Sequence, residues 1–266
     1  MLAVILRTIK DRKNSIIMFV SMGVGLLWLY VAMFPFFSDL GNEFVEFWSS
    51  LEGASQVIPI TSEIFSSLEN FLAMEQYSIM LPLLMIFMLL GIAAYSLSAD
   101  IEFGTAEILL SRPMSRMKLF FSRYLTGVIV LIIFVALTSL MIVPFAQLHN
   151  QEYDLSKFIS ISIILFLFGL AVFSLAMLIS AIFSEKSKVN LIMGGGIVGM
   201  YILNIIATTN DKFEFLQYLT FFYYYDYNAA IIQNEITAGN IVLFSAVTIV
   251  ATTLGAWWYN KRDIAV

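Results

Sequence analysis

The chain has no cysteine, which excludes disulfides, thiolate zinc sites, iron–sulfur ligation and cysteine nucleophiles. Its one histidine, His149, cannot build a zinc site, and no G-x-S-x-G elbow accompanies it, so neither a metal centre nor an intramembrane hydrolase is expected. No G-x-x-x-x-G-K-[ST] phosphate loop is present. The run Gly194-Gly195-Gly196-Ile197-Val198-Gly199 has no lysine after it and lies in an apolar stretch; it reads as a surface for close helix approach. The fourteen methionines are scattered and read as adaptable packing rather than copper ligands. Charge is scarce as well, at 12% of residues against about 25% in soluble domains. Apolar side chains are abundant, at 60% of 266 residues. A soluble globule could not bury that much apolar surface, and disorder needs the opposite composition. The expected fold class is an all-α integral membrane protein, one transmembrane domain over residues 1–266 with no separate soluble domain.

Six apolar runs are long enough to cross a hydrocarbon core of roughly 30 Å. They are Ser15–Phe37, Tyr77–Ser98, Leu119–Gln147, Phe158–Phe183, Val189–Thr209 and Asn240–Tyr259. They are continuous, whereas barrel strands would alternate over about ten residues. The first run is too long for a signal peptide and lacks a small-x-small cleavage site, so it is expected to be retained. No acid or base sits mid-run, which argues against a proton relay. Arg123, one turn inside the third run, is expected to snorkel to the interface.

With the amino terminus inside, twelve of the fourteen Lys and Arg residues fall on inner segments, and only Lys157 and Lys212 on outer ones. That partition obeys the positive-inside rule and supports an even number of spans, with both termini cytoplasmic. Thirteen of the nineteen acids fall outside. The inner surface is therefore positive and suits anionic membrane lipids; no nucleic-acid partner is expected.

Three connecting segments carry pattern. In residues 1–13, Leu2, Ile5, Leu6 and Ile9 lie on one helical face while Arg7 and Lys10 lie elsewhere, which predicts an amphipathic helix in the cytoplasmic interface. Residues 38–76 carry seven acids and no base. Two short amphipathic helices are expected there, on the outer surface, either as a solvated cap or as an acidic vestibule lined by Glu43, Glu46, Glu63 and Glu69. Residues 210–239 are crowded with aromatics, too polar to span and too apolar to float free. They predict a re-entrant hairpin in the outer leaflet or an aromatic belt, with Phe222, Tyr223, Tyr224 and Asp226 as candidate gate residues.

The cytoplasmic connection over residues 99–118 is the most informative. Gly104 breaks the preceding helix, Thr105 caps a new one, Glu107 favours its first turn, and Leu109 and Leu110 give it an apolar patch. Pro113 stops it, and Ser115 is placed to cap the third span. A capped transverse helix with an apolar patch suits docking of a soluble partner better than mere connection.

This loop resembles the pattern E-x-G-T-x-E-x-L-L-S-x-P-x-S-R of type-2 ABC transporter permeases, carried by Glu102, Gly104, Thr105, Glu107, Leu109, Leu110, Ser111, Pro113, Ser115 and Arg116. The order of segments is similar too, and Tyr259-Asn260-Lys261-Arg262-Asp263-Ile264 resembles the family's Y-x-[KR]-R-D ending. The long acidic outer connection departs from the polysaccharide exporters. The resemblance implies an exporter subunit of the drug, peptide and bacteriocin branch, in the plasma membrane of a prokaryote, without a catalytic site of its own. It implies two copies of a cytoplasmic ATP-binding subunit, which hold ATP and Mg, and a second permease copy, a homodimer being favoured over a heterodimer. Glu102, Glu107, Arg112 and Arg116 would make polar coupling contacts to the ATPase, and Leu109 and Leu110 apolar ones. A hydrophobic or amphipathic cargo is expected, with peptide favoured. A stand-alone channel or carrier, and a peptide-sensing immunity or scaffold protein, are the alternatives.

Overall fold

A computed structural model describes residues 1–50, 62–98, 102 and 115–262. Among them the regular structure is all helical, and six helical segments are long and apolar enough to cross a membrane. The all-α class and the span count are as expected. The spans are Leu2–Gly41, Leu68–Ser96, Arg116–Leu148, Leu155–Ile182, Lys186–Thr209 and Ala238–Lys261.

Helix α1 runs without interruption over Leu2–Ser50. At 1.5 Å per residue it is about 73 Å long, more than twice a hydrocarbon core. This corrects the expectation of a separate amino-terminal helix. Between Lys13 and Ser15 stands only Asn14, with no glycine or proline to end the helix. The first half of the outer connection likewise continues α1 to Ser50. Only part of the expected amphipathic face is covered: Ile5 is buried and Ile9 half-buried, while Leu2 and Leu6 are 69% and 58% exposed.

The second span is interrupted. A 3-10 turn (Ser62–Phe65), helix α2 (Leu68–Leu72) and a π-helical turn (Ala73–Tyr77) lead into α3 (Met80–Ser96). Ser67 caps α2 by accepting from the Asn70 amide at 3.2 Å. Pro82 lacks the N–H that would bond the Ser78 carbonyl, which accounts for a break at 78–79. Phe65, Leu68, Phe71 and Leu72 are buried in the core, so this second stretch is not an amphipathic surface helix. The third span breaks in the same way. Helix α4 (Arg116–Leu140) ends four residues upstream of Pro144 and passes through Met141 into α5 (Ile142–Leu148). Ser115 caps α4, accepting from the Lys118 amide at 3.3 Å, as expected.

Helix α6 (Leu155–Ile182) is the centre of the bundle. It is apolar along most of its length, and Phe158, Ile161, Leu165, Phe168, Val172, Phe173, Ala176 and Met177 are fully buried. Small residues allow the approach: a Cβ on Gly169 would lie 2.7 Å from the Met85 sulfur of α3, and one on Gly127 would lie 2.0 Å from the Phe173 ring. Helix α7 (Lys186–Thr209) and helix α9 (Ala238–Lys261) flank it. Between them, a 3-10 segment (Asp211–Leu219), α8 (Phe221–Tyr224) and a π-helical turn (Ala229–Gln233) fill the expected hairpin region.

Overpacking a tight core contact costs about 1–3 kcal/mol. Gly127→Ala is therefore expected to lower stability by about that amount. Gly195→Ala, where an added Cβ would meet no other part of the chain within 4 Å, should hold it or raise it. Thermal unfolding of the two purified variants beside the parent checks both.

Candidate functional site

At the end of the bundle that carries the amino terminus, the inner end in the expected cytoplasmic orientation, the helix ends meet in a network of polar contacts that includes Ser98 and Arg116. On the upstream side of the 99–118 connection, Ser98 and Ser180 are both fully buried. The Ser98 amide donates to Ser180 Oγ at 3.3 Å, Ser98 Oγ donates to the Ser180 carbonyl at 3.2 Å, and the two hydroxyls lie 2.9 Å apart. With Ser98 Oγ committed to the carbonyl, Ser180 Oγ donates back to Ser98, and every donor in the ring is used. The inner end of α3 is thereby fastened to that of α6.

On the downstream side, Arg116 Nη1 donates to the carbonyl of Arg262. Arg262 donates through Nη1 to the Ala181 carbonyl at 2.9 Å and through Nη2 to Ser184 Oγ. Its amide bonds the Trp258 carbonyl at 2.8 Å and closes α9. Partial burial lowers the pKa of the Arg262 guanidinium, opposed by Tyr259. One arginine so joins the start of α4, the end of α6 and the end of α9. Glu102 adds a further tie, accepting from the Lys186 amide at the α7 amino terminus at 3.0 Å, where the helix dipole favours a carboxylate. Lys188 and Glu185 form an exposed pair at 2.7 Å, which adds little.

The amino-terminal helix joins the same face. Arg123 Nη1 donates to Thr8 Oγ1 at 2.5 Å, and Thr8 donates to the Val4 carbonyl at 2.8 Å. Arg123 is 6% exposed, its guanidinium held by a hydroxyl near the amino-terminal end of α1. Arg12 stacks over the Tyr95 ring at 3.9 Å. Arg7 is exposed beside Asp11 at 3.8 Å, and Lys10 is exposed.

Of the residues expected to couple, the structure places Glu102 and Arg116 in contact with the chain's own inner-face turns. Gly104, Thr105, Glu107, Leu109, Leu110, Arg112 and Pro113 lie outside the described residues. Ser98 and Ser180 carried no sequence signal, because serine is common in apolar helices. Arg262 stood in the terminal motif, but its partners are far away in sequence.

The outer face divides differently. Glu43, Glu46 and Glu63 are exposed, but Glu69 is buried to 7% and accepts from the Asp154 amide at 2.8 Å. Glu69 is thus removed from the expected vestibule by its role as a partner for the start of α6. Asp154 caps α6, accepting from the Ser156 amide and hydroxyl at 2.9 and 2.7 Å, which lowers its pKa. In the hairpin, Phe222 packs inward against Tyr201 at 5.2 Å and Phe168 at 5.8 Å. Tyr223 is 39% exposed, and exposed Asp226 accepts from the Ala229 amide at 3.0 Å. Tyr224 is partly buried and donates to the Tyr218 carbonyl at 3.3 Å. Among the described residues no cluster of His, Asp or Glu could hold a metal ion.

A family model for the ABC-2 family transporter proteins matches residues 7–264. The chain belongs to that family. It is accordingly a multi-pass membrane permease of an ABC transporter, a family whose membrane subunits work with an ATP-binding partner. No curated protein matches it.

The permease's inner-face network depends on the fork geometry of Arg262. Lysine keeps the charge but cannot present two donors at fixed spacing. Arg262→Lys is expected to cost about 1–3 kcal/mol of stability, against less than about 0.5 kcal/mol for Lys188→Ala. Thermal unfolding of the purified permease separates the two.

Proposed function

We propose that this permease exports a hydrophobic or amphipathic cargo, peptide being favoured, and that a separate cytoplasmic ATPase drives it through the 99–118 connection. The active unit in this reading pairs two permease copies, a homodimer, with two ATP-binding subunits that hold ATP and Mg. The observation that carries the reading is the anchoring of both ends of the connection: Ser98 is bonded into α6, and Arg116 into the α6–α9 corner through Arg262. A segment held only by flexible ends would move alone when pushed; one tied to the central helix passes displacement to the bundle. Glu107 and Arg112, by resemblance, contact the ATPase.

The cargo reading draws on the lateral surface. A groove of about 540 Å³ opens between α4 and α9, lined by Phe121, Tyr124, Ile249 and Trp257 with Thr248 and Thr252 among them. Apolar walls with a few hydroxyls suit an amphipathic molecule entering from the inner leaflet. Spans one, five and six bury 17%, 17% and 22% of their most apolar windows, against 61% for spans two and four. That difference supports a second copy beside the exposed helices.

The test is a reconstituted permease–ATPase complex in vesicles, with a series of amphipathic peptides as probes. The parent should accumulate peptide in an ATP-dependent manner. The Glu107→Ala, Arg112→Ala double variant should assemble and hydrolyse ATP, with peptide accumulation down at least about tenfold, a coupling loss of 1.4 kcal/mol or more. Unchanged accumulation in that variant contradicts coupling through the loop. Absence of peptide movement in a parent whose ATPase responds to another amphiphile contradicts the peptide preference.

A further inference from the structure

The outer hairpin is held to the bundle at several points, with Ala230 and Ile231 buried and Phe222 packed on Phe168. Its 3-10 segment and α8 bury no side chain completely. Thr220 Oγ1 lies 3.1 Å from Asn204 Oδ1 of α7, and Asn234, in the left-handed region at φ 58°, bridges Ser156 and Ser160 at 3.1 and 2.6 Å. The attachment that reaches both the second span and α6 is Tyr225. It is 1% exposed, its ring stacks on Phe168 of α6 at 5.0 Å, and its hydroxyl donates to the Tyr77 carbonyl at 3.1 Å. Tyr77 is the last residue of the π-helical turn, beside the break in the second span. Burial raises the Tyr225 pKa well above the ordinary value, helped by Tyr77 and Tyr227, so the phenol keeps the proton it donates.

Tyr225 therefore bridges the same two helical segments, the second span and α6, that Ser98 and Ser180 fasten at the opposite end. We infer that Tyr225 is a positioning residue that latches the outer hairpin onto the second span and α6, so that the hairpin follows this pair when the inner connection is displaced. The inference rests on the ATPase-driven reading above. Phe222 on Phe168 holds the hairpin to α6, and the Tyr225 hydroxyl adds the bond to the second span.

The absence of cysteine makes a clean reporter available. Tyr223, exposed on the hairpin, is replaced by cysteine, and its reaction with a membrane-impermeant maleimide is timed from outside. The assembled permease–ATPase complex is used with and without ATP and a trapping inhibitor. In the Y223C background the nucleotide state should change the labelling rate at least about threefold. Adding Tyr225→Phe, which removes one oxygen and keeps the ring, should reduce that change to near unity and lower transport, with basal ATP hydrolysis and melting close to the parent. Tyr227→Phe, on the same hairpin, should leave the response intact.

A Tyr225→Phe complex that keeps the full nucleotide response overturns the latch while leaving the ATPase-driven reading in place. So does one whose melting collapses, because the bond would then serve stability alone. A Y223C complex with no nucleotide response, together with unaltered transport in the Glu107, Arg112 double variant, overturns the ATPase-driven reading and the latch with it.

Discussion

Two buried serines on neighbouring helices set the frame on which the rest of this permease depends. Ser98 and Ser180 satisfy each other in a place where no water can substitute. A buried hydroxyl left unpaired costs about 1–3 kcal/mol, so the ring is held closed by the penalty for opening it as much as by its own bonds. In a membrane, apolar packing between helices has no strong preference over packing against lipid. Close packing at small residues and polar ties therefore act together, and here the serine pair joins the end of α3 to α6. Glu69, taking the Asp154 amide, and Tyr225, bonded to Tyr77 and stacked on Phe168, join the second span and α6 again at the outer end. Met85 seated against Gly169 closes the middle.

The inner connection leaves this pair at Ser98 and re-enters the fold at Arg116, beside Arg262. Helix α6 is about 42 Å long at 1.5 Å per residue over its 28 residues, enough to cross the hydrocarbon core and reach both surfaces. A push on the connection in the proposed mechanism thus meets a rod whose far end carries the hairpin. Helix α1 is tied to the inner face through Arg123–Thr8 and Arg12–Tyr95. Its length and lower burial leave most of its surface for lipid or for another chain.

Much of this architecture was legible in the residues. Long apolar runs and the inward bias of lysine and arginine carry span number directly, because each follows from the cost of placing polar groups in hydrocarbon. The cap at Ser115 was legible for the same local reason. What was not legible depends on who meets whom. Pro82 and Pro144 were visible, but the apolar runs around them masked the breaks they impose. Nothing between Lys13 and Ser15 marks an end of helix, and α1 has none. Glu69 stands in an acidic run where its neighbours are exposed, and only its meeting with Asp154 distinguishes it. Ser98 and Ser180 lie 82 residues apart, and Arg262 lies 81 from Ala181 and 146 from Arg116. Such pairings leave no periodic trace.

The central claim is that α3 and α6 move as one body when the transporter works. The cysteine-free chain allows spin labels at Leu83 on α3 and Ile163 on α6, both exposed, at 38% and 44%. Their separation can be measured in the assembled complex without nucleotide and in the ATP-trapped state. The account predicts a distance unchanged to within about 2 Å, the scale of small helix adjustments. A change on the order of 5 Å, one helical turn of one element past the other, would contradict it.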